Sequence, residues 1–321
     1  MIDFCILGSG IAGSTISNLL SKRYKIRVFD KAKGAGGRAS NRRYKNKLSF
    51  DHGLQYISPE NEKYNKFIIE LKKRGILKIW DGNHLDFSLS HRKEKLKYIG
   101  NKANNDISKY LLKGIKTNFS SPISKIKFEN NCWNINILNK NIYSRNIILS
   151  CPFPQIIPLA NKYLNNNIKK MNIKMTPNIT VLAVFKNSNI PISSFKFNNK
   201  ILAWASNENS KKRFKTNLNL WTIQASSEYS KRIINNYKDK KEYFSSYIIK
   251  EFLKITGFEY KHLIFKSIHG WKYSYNQKST SIKSYWNKKY HLGVCGDWFV
   301  GPKAESAWIS AHDLFKKIKK R

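Results

Sequence analysis

Length, composition and charge set the broad class of the chain. Its 321 residues are 41% hydrophobic and 13% aromatic, enough for one large core or two ordinary ones, which argues against global disorder. The formal net charge is +40, but the basic residues are spread along the whole chain together with Asn and Ile, as A- and T-rich codons would produce. The charge therefore predicts general attraction of anions and no specific nucleic-acid partner.

Sequence signals for membranes, secretion and metal binding are weak. No apolar stretch reaches the roughly 20 residues of a membrane-spanning helix. Residues 2–20 are apolar but follow no basic segment, so we expect a cytoplasmic protein without a membrane partner. The cysteines lie far apart with no CxxC pair and no nearby histidine spacing typical of metal, so we expect reduced thiols and no metal site.

The N-terminal segment predicts a strand, a turn, a helix and a second strand. Residues 2–8 are a short apolar run ending in glycine, typical of a buried strand. Helical spacing of apolar residues follows the turn, and residues 25–30 form the second strand, which ends at Asp30. This is the layout of a dinucleotide-binding unit, in which Asp30 would accept hydrogen bonds from ribose hydroxyls.

The turn itself fits the GxGxxG pattern with Gly8, Gly10 and Gly13. The first glycine permits a tight turn, the second lets the backbone approach a pyrophosphate, and the third lets helix and strand pack closely. Backbone N–H groups at the start of the helix, around Ile11 and Ala12, would meet the phosphate charge. The pattern alone does not distinguish a nicotinamide cofactor from a flavin.

A second glycine cluster follows at once, with Gly36 and Gly37 before Arg38. A simple NAD dehydrogenase has no need for it. In this respect the chain resembles flavoproteins of the amine oxidase superfamily, which place a Gly-Gly-Arg motif here. The resemblance implies that the glycines pass close to the FAD pyrophosphate and that the arginine pairs with phosphate.

The middle of the chain continues with strands and a helix. Residues 104–115 predict a helix, and residues 123–138 alternate as a strand hairpin across Asn130 and Asn131. Residues 146–154 begin as an apolar strand, and their two prolines are expected to block continuation as a helix.

The sequence pattern changes between about residues 160 and 285. Several strand-like segments occur there, and residues 240–257 have helical spacing with a glycine stop. We expect an inserted sheet with a covering helix. Residues 291–298 return to a strand followed by glycine, and residues 304–321 predict a final amphipathic helix.

Four further segments extend the resemblance along the chain. FDHGLQYIS (50–58) resembles the segment that follows the Gly-Gly-Arg motif in the renalase-like branch of FAD-dependent oxidoreductases. ILAWASNENSKK with LWTIQASSEYSKR (201–232), HGWKYS (269–274) and GVCGDWFVGPKAESAWISAHDL (293–314) resemble later segments of the same branch. The order of the segments carries the resemblance more than any single one.

The resemblance implies an α/β fold, with a Rossmann-like FAD-binding domain of the GR2 type and an inserted α+β substrate domain built on an antiparallel sheet. The predicted FAD-binding domain is discontinuous, comprising residues 1–75, 100–160 and 286–321. The predicted substrate domain comprises residues 76–99 and 161–285.

The resemblance also implies roles for individual residues. Asp297 would hold the ribityl or phosphate region, and the start of the last helix would favour reduced, anionic flavin through its dipole. Gln55 and Tyr56 would line the cavity near the flavin ring. The full predicted cofactor-binding set is Gly8, Gly10, Ile11, Ala12, Gly13, Asp30, Lys31, Gly37, Arg38, Gln55, Gly296, Asp297, Glu305, Ser306 and Ala307.

Four aromatic or imidazole side chains are candidates for the substrate side, and no residue is assigned a catalytic role. Each could equally be a core residue, since Trp and Tyr in strands more often pack than bind ligand, and His269 could be a general base or a structural histidine. The candidates are Trp204, His269, Trp271 and Tyr273.

The sequence departs from the family pattern in three places. Lys102, Ala103 and Asn104 replace a Gly-Met pair, Lys303 replaces an arginine, and Ser306 replaces a glycine. Lysine keeps the charge of arginine but loses its bidentate fork. These differences bear on the details of flavin contact and on substrate identity.

The resemblance implies an oxidase with non-covalent FAD that takes a hydride from an organic donor, expected to be a dihydronicotinamide isomer of NAD(P)H, and is reoxidised by O2 to give H2O2. The alternatives are a flavin amine oxidase, a desaturase acting on a polyene or porphyrin, and a flavin-containing nucleic-acid-binding or sensory protein. The amine oxidase and the desaturase would oxidise a different donor. The nucleic-acid-binding or sensory protein would not be an enzyme.

Overall fold

The computed structural model describes residues 1–45, 47–87, 95–186 and 190–319. Residues 46, 88–94, 187–189 and 320–321, which the predicted domains include, lie outside the described residues. Among the helices of the described ranges, none is long and apolar enough to cross a membrane.

Strands and helices alternate along the chain. The strands are β1 (Ile2–Leu7), β2 (Ile26–Phe29), β3 (Asn41–Arg43), β4 (Ser49–Asp51), β5 (Leu77–Ile79), β6 (His84–Asp86), β7 (Tyr98–Gly100), β8 (Lys116–Asn118), β9 (Ile123–Glu129), β10 (Cys132–Ile137), β11 (Lys140–Leu149), β12 (Met175–Phe185), β13 (Ser194–Lys196), β14 (Leu202–Asn207), β15 (Asn219–Ala225), β16 (Leu263–Asn276), β17 (Tyr285–Asn287) and β18 (Leu292–Val294). The α-helices are α1 (Ile11–Ser21), α2 (Glu62–Lys73), α3 (Asp106–Leu111), α4 (Phe153–Ala160), α5 (Asn166–Lys169), α6 (Ser227–Ile233), α7 (Lys241–Thr256) and α8 (Ala304–Lys319).

The first sheet has the order β17-β18-β11-β1-β2-β8, with β9 and β10 extending from β11. Its centre is parallel, since β1 pairs in parallel with both β2 and β11. Phe4 and Ile6 of β1 belong to a core shared with α1 and α8, whereas Cys5 and Leu7 belong to a core shared with α4. Helices therefore cover both faces, which explains why residues 4–7 of β1 are all apolar and buried.

The second sheet has the order β16-β12-β15-β14-β13-β6 and is antiparallel except for the parallel β13–β6 pair. Helices α6 and α7 pack on one face. The opposite face meets the first part of the chain, because Leu182, Val184 and Leu220 form a core cluster with Phe50 of β4. The candidate site lies on this face, which is turned toward the N-terminal part of the chain.

The architecture is the predicted fold class, a Rossmann-like domain with a mainly antiparallel second sheet. The hairpin between β9 and β10 is confirmed, with Asn130 and Asn131 at φ 48° and 53°. Gly257 ends α7 at φ 70° as predicted. The prediction that prolines prevent a helix after β11 was wrong, because α4 begins at Phe153 and holds Pro154 in its first turn, where no intrahelical N–H bond is needed.

The exact division into domains stays a prediction. Strand β5 pairs with β7 in a separate two-stranded sheet, while β6 joins the second sheet. Tyr163, Leu164 and Ile168, placed by the prediction in the substrate domain, pack in a core of the first sheet.

Candidate functional site

The first glycine turn joins the central strand β1 to α1. Gly8 has φ +106°, in the region that favours glycine. A Cβ on Gly13 would lie 2.0 Å from the carbonyl oxygen of Gly8, so that position tolerates no side chain. Helix α1 starts at Ile11 with no side-chain cap, which leaves the N–H groups of its first turn available to an anion.

The second glycine cluster lies directly against the first. Gly36 and Gly10 form an isolated parallel bridge, and the Gly36 N–H donates to the Ser9 carbonyl at 3.0 Å. Gly36 and Gly37 have φ +123° and +54°, and a Cβ on Gly37 would be 3.2 Å from the Gly10 Cα. The structure thus brings the two glycine motifs into one backbone cradle.

Asp30 is tied to this cradle. Its carboxylate accepts from the Ser9 N–H at 2.7 Å, from the Ser9 hydroxyl at 2.6 Å and from the Ala32 N–H at 2.8 Å. A carboxylate has further lone pairs to offer, so these bonds leave acceptor capacity for a ribose. The neighbouring Lys31 is exposed.

Arg38 and Asp297 form a bidentate ion pair between the Gly-Gly-Arg motif and the Gly-Asp motif. The two N–H···O distances are 2.8 and 2.5 Å, and Arg38 also donates to the Ser274 carbonyl at 2.7 Å. The Gly296 N–H donates to the Ser310 hydroxyl at 3.0 Å. Residues that are 259 positions apart in sequence therefore meet beside the glycine cradle.

Glu305 lies at the start of α8, and its predicted cofactor contact stays a prediction. Its carboxylate accepts from the backbone N–H groups of Glu60 and Asn61, at 2.7 and 2.8 Å, near the start of α2. Ser306 and Ala307 are buried, and Ala307 shares a core with α1. This end of α8 is thereby fixed between α1 and α2.

The amide of Gln55 is fully engaged with protein groups. Its Nε2 donates to the carbonyls of Asp51 and Gly53, at 2.5 and 3.1 Å, and its Oε1 accepts from the Ser206 hydroxyl at 2.6 Å. Gln55 therefore clamps the segment after β4 to the second sheet.

The second sheet presents a row of side chains to this segment. Cross-strand pairing aligns His269 with Thr180, Thr180 with Gln224, and Gln224 with Trp204, and such partners share one face of a sheet. Gln224 Nε2 donates to the Gly53 carbonyl at 2.8 Å. The row therefore lies over the backbone that follows β4.

Three rings pack together at the β16 end of the row. The centroids of His52 and His269 are 5.1 Å apart, those of His52 and Trp271 5.0 Å, and those of His269 and Trp271 4.5 Å. Trp271 Nε1 donates to the His52 carbonyl at 3.0 Å. Tyr273, two residues further along β16, has Lys272 over its ring at 5.9 Å.

A second aromatic group lies at the β14 end. The ring of Tyr56 is 5.4 Å from Trp204 and 6.4 Å from Trp80. Burial, reinforced by the charge of Asp86, raises the pKa of Tyr56. In the described chain, the buried Nε1 of Trp204 has no hydrogen-bond partner.

Burial lowers the pKa of both histidines of the site. Burial, with smaller contributions from His269 and Arg42, lowers the pKa of His52 to about 4. Burial and the charge of Arg42 also lower the pKa of His269. The Nδ1 atom of His52 is buried, and within the described residues it lacks a hydrogen-bond partner.

A buried charge cluster lies behind the segment after β4. It consists of Asp51, Glu208, Lys211 and Arg213, whose side chains are at most 3% exposed. Lys211 Nζ lies 3.0 Å from carboxylate oxygens of both Asp51 and Glu208, and Arg213 pairs with Asp51. Burial alone would raise the pKa of Asp51, but Lys211 and Arg213 outweigh it and hold that pKa below its usual range.

Sequence reasoning missed this cluster. Lys211 and Arg213 sit in a run of basic residues that resembles a solvated surface turn. The available signal was the scarcity of acids, 20 against 60 basic residues, which makes each acidic residue near a predicted strand, such as Asp51 or Glu208, worth examining.

The cysteines are unpaired, and Cys5 and Cys295 are buried. No group of three or more His, Cys, Asp or Glu suited to a metal ion occurs in the ranges that the structure describes.

Comparisons with known proteins agree on the fold. Residues 6–71 match the family described as an NAD(P)-binding Rossmann-like domain. A candidate protoporphyrinogen oxidase from Exiguobacterium sp. 255-15 superposes with a TM-score of 0.74 at 10% identity, covering 99% of each chain. A putrescine oxidase solved with bound putrescine superposes with a TM-score of 0.73 at 10% identity, covering 100% of this chain and 99% of the other. The chain therefore contains a Rossmann-like dinucleotide-binding domain within a flavin amine oxidase-like fold.

Proposed function

We propose that the chain is an FAD-dependent oxidoreductase that takes a hydride from a dihydronicotinamide isomer of NAD(P)H and delivers the electrons to O2. The observation that carries the proposal is the bidentate Arg38–Asp297 pair. It joins the Gly-Gly-Arg and Gly-Asp motifs next to the first glycine turn, as a single extended dinucleotide would require.

The residues present fit FAD. The cradle leaves no room for a Cβ at Gly13, and a Cβ on Gly37 would lie 3.2 Å from the Gly10 Cα, so backbone N–H groups can approach a pyrophosphate closely. The Arg38 fork holds Asp297, and the remaining N–H groups of its guanidinium would meet phosphate oxygens. Buried nitrogens of Trp204 and His52 that lack partners in the described chain leave hydrogen-bonding capacity for a polar ring system beside the segment after β4.

When bound, FAD supplies the redox chemistry: the donor loses a hydride, and O2 gains that hydride and a proton to become H2O2. The residues of this chain hold the donor and limit access of water. The row from Trp204 to His269 offers aromatic faces and neutral polar groups, which suits an uncharged dihydronicotinamide ring.

A flavin amine oxidase is the second candidate, favoured by the fold shared with putrescine oxidase. Recognition of an amine cation calls for a carboxylate or an aromatic cage. Asp51 and Glu208, which flank the same face of the sheet, are already ion-paired with Lys211. Their engagement favours the dihydronicotinamide donor over a diamine.

Anaerobic mixing of the FAD-loaded protein with each donor class tests the proposal. We expect 6-dihydro-NAD to bleach the flavin and, on admission of air, to yield one H2O2 per donor oxidised. Putrescine serves as the comparison and should leave the spectrum unchanged. If putrescine bleached the flavin and 6-dihydro-NAD did not, the proposal would be wrong and the chain would be an amine oxidase.

A further inference from the structure

A basic cavity of about 360 Å³ opens beside the edge strand β16. Its lining includes Arg42 of β3, Lys238 and Lys241 near the start of α7, and Lys266 of β16. Its volume falls in the range of ligand-binding clefts. The cavity therefore lies between the β3–β4 hairpin and the helical layer of the second sheet.

The charges in the cavity are unbalanced. Glu242 is the one acidic side chain in its lining, and it pairs with Lys266, which also donates to Ser246 and Tyr260. Among the described residues, Arg42, Lys238 and Lys241 form no ion pair with a carboxylate. Three positive charges thus remain to attract an anion.

The cavity adjoins the candidate substrate side. Ser267 lines it and is two residues from His269 on β16, a separation of about 7 Å along a strand. The charge of Arg42 acts on both His52 and His269. The cavity therefore lies close enough to His269 for one extended molecule to reach both.

We infer that this cavity binds the phosphate groups of the donor, so that the donor is a dinucleotide anchored by Arg42, Lys238 and Lys241. The inference rests on the proposed function for the identity of the donor. A dinucleotide carries a negative charge on each phosphate, and an arginine fork between lysines is a suitable partner for them.

The test measures binding of ADP-ribose, which carries the diphosphate but no nicotinamide, to the FAD-loaded protein by calorimetry. The cavity variant is Arg42→Gln, Lys238→Gln and Lys241→Gln combined. The control variant, Lys22→Gln, Arg23→Gln and Lys25→Gln combined, removes the same charge from exposed positions around the end of α1. Thermal unfolding of both variants shows whether each is folded.

We expect the cavity variant to bind ADP-ribose at least tenfold more weakly and the control variant to match the unchanged protein within twofold. Equal weakening in both variants would assign the attraction to the overall charge and overturn the inference, as would unchanged binding in the cavity variant. Should the cavity variant fail to fold, Arg42→Gln alone must weaken binding measurably, and an unaltered affinity would overturn the inference.

The ADP-ribose test and the flavin-bleaching test of the proposed function can fail independently. Cavity-dependent ADP-ribose binding without flavin bleaching by 6-dihydro-NAD would keep the cavity site and remove the proposed donor. Flavin bleaching with the same KM in the cavity variant would keep the donor chemistry and remove the cavity as its anchor.

Discussion

The glycine cradle and the buried charge cluster each hold distant parts of the chain together, but by opposite means. The cradle uses residues without side chains, so that backbone approaches backbone, as at Gly10 and Gly36. The cluster uses long charged side chains, Lys211 and Arg213, that converge on Asp51 from the other sheet. Local backbone geometry forms the glycine turn, whereas long-range ion pairing fixes β4 against the segment that follows β14.

The largest expected effect comes from Lys211→Met. The substitution leaves Glu208 buried without its cation and removes one of the two cations on Asp51, and breaking such a buried pair costs about 3–5 kcal/mol. Chemical denaturation should show that loss in the free energy of unfolding.

Lys254→Met is the matched control, because Lys254 pairs with Glu251 on the exposed side of α7. It should leave the free energy of unfolding unchanged within error. Similar small effects of both substitutions would mean that the cluster does not hold the two sheets together.

The second effect is a pH dependence of the free energy of unfolding, caused by His52. Its pKa falls from an ordinary value of 6.5 to about 4 on folding, so the unfolded chain binds the proton more readily. The associated stability is fully present above pH 6.5 and is lost as the pH falls through about 4, by up to about 3 kcal/mol.

His52→Gln should flatten this part of the profile, measured as the free energy of unfolding at a series of pH values. The lowered pKa of Asp51 acts further down the pH scale, so the difference between the two proteins isolates His52. Parallel profiles would contradict the burial of a neutral imidazole at this position.

The third effect tests the cradle directly. Gly13→Ala places a methyl group against the Gly8 carbonyl, and such overpacking costs about 1–3 kcal/mol. We expect a lower Tm and less flavin bound per chain. Gly34→Ala is the control, since a Cβ there meets nothing within 4 Å; equal behaviour of the two variants would refute the close approach.

The smallest effect is expected from Arg38→Lys, which keeps the charge and loses the bidentate fork. FAD should bind about tenfold more weakly, equivalent to about 1.4 kcal/mol, as measured by titration of the apoprotein. Arg43→Lys, exposed on β3, should bind FAD as the unchanged protein does. Unaltered affinity of Arg38→Lys would argue against a role in the phosphate site.

The sequence predicts the local features of this molecule well. The first glycine turn follows from spacing around Gly8 and Gly13, because a strand, a turn and a helix each impose a short-range pattern. The second sheet was predicted in outline for the same reason, from strand-like segments between residues 179 and 227.

The remainder depends on contacts between distant segments. No local pattern shows that Gln55 bonds to Ser206 or that Glu305 accepts from the backbone N–H groups just before α2. Lys211 has the local signature of a surface residue and is completely buried. A side chain's partners across the fold, and therefore its role, are set by topology.

Reconstitution of the apoprotein with FAD tests the central claim most directly. The account predicts that the chain takes up one FAD and that the protein then shows the visible absorption bands of a bound flavin after gel filtration. A folded protein that remains colourless after this treatment would contradict the account.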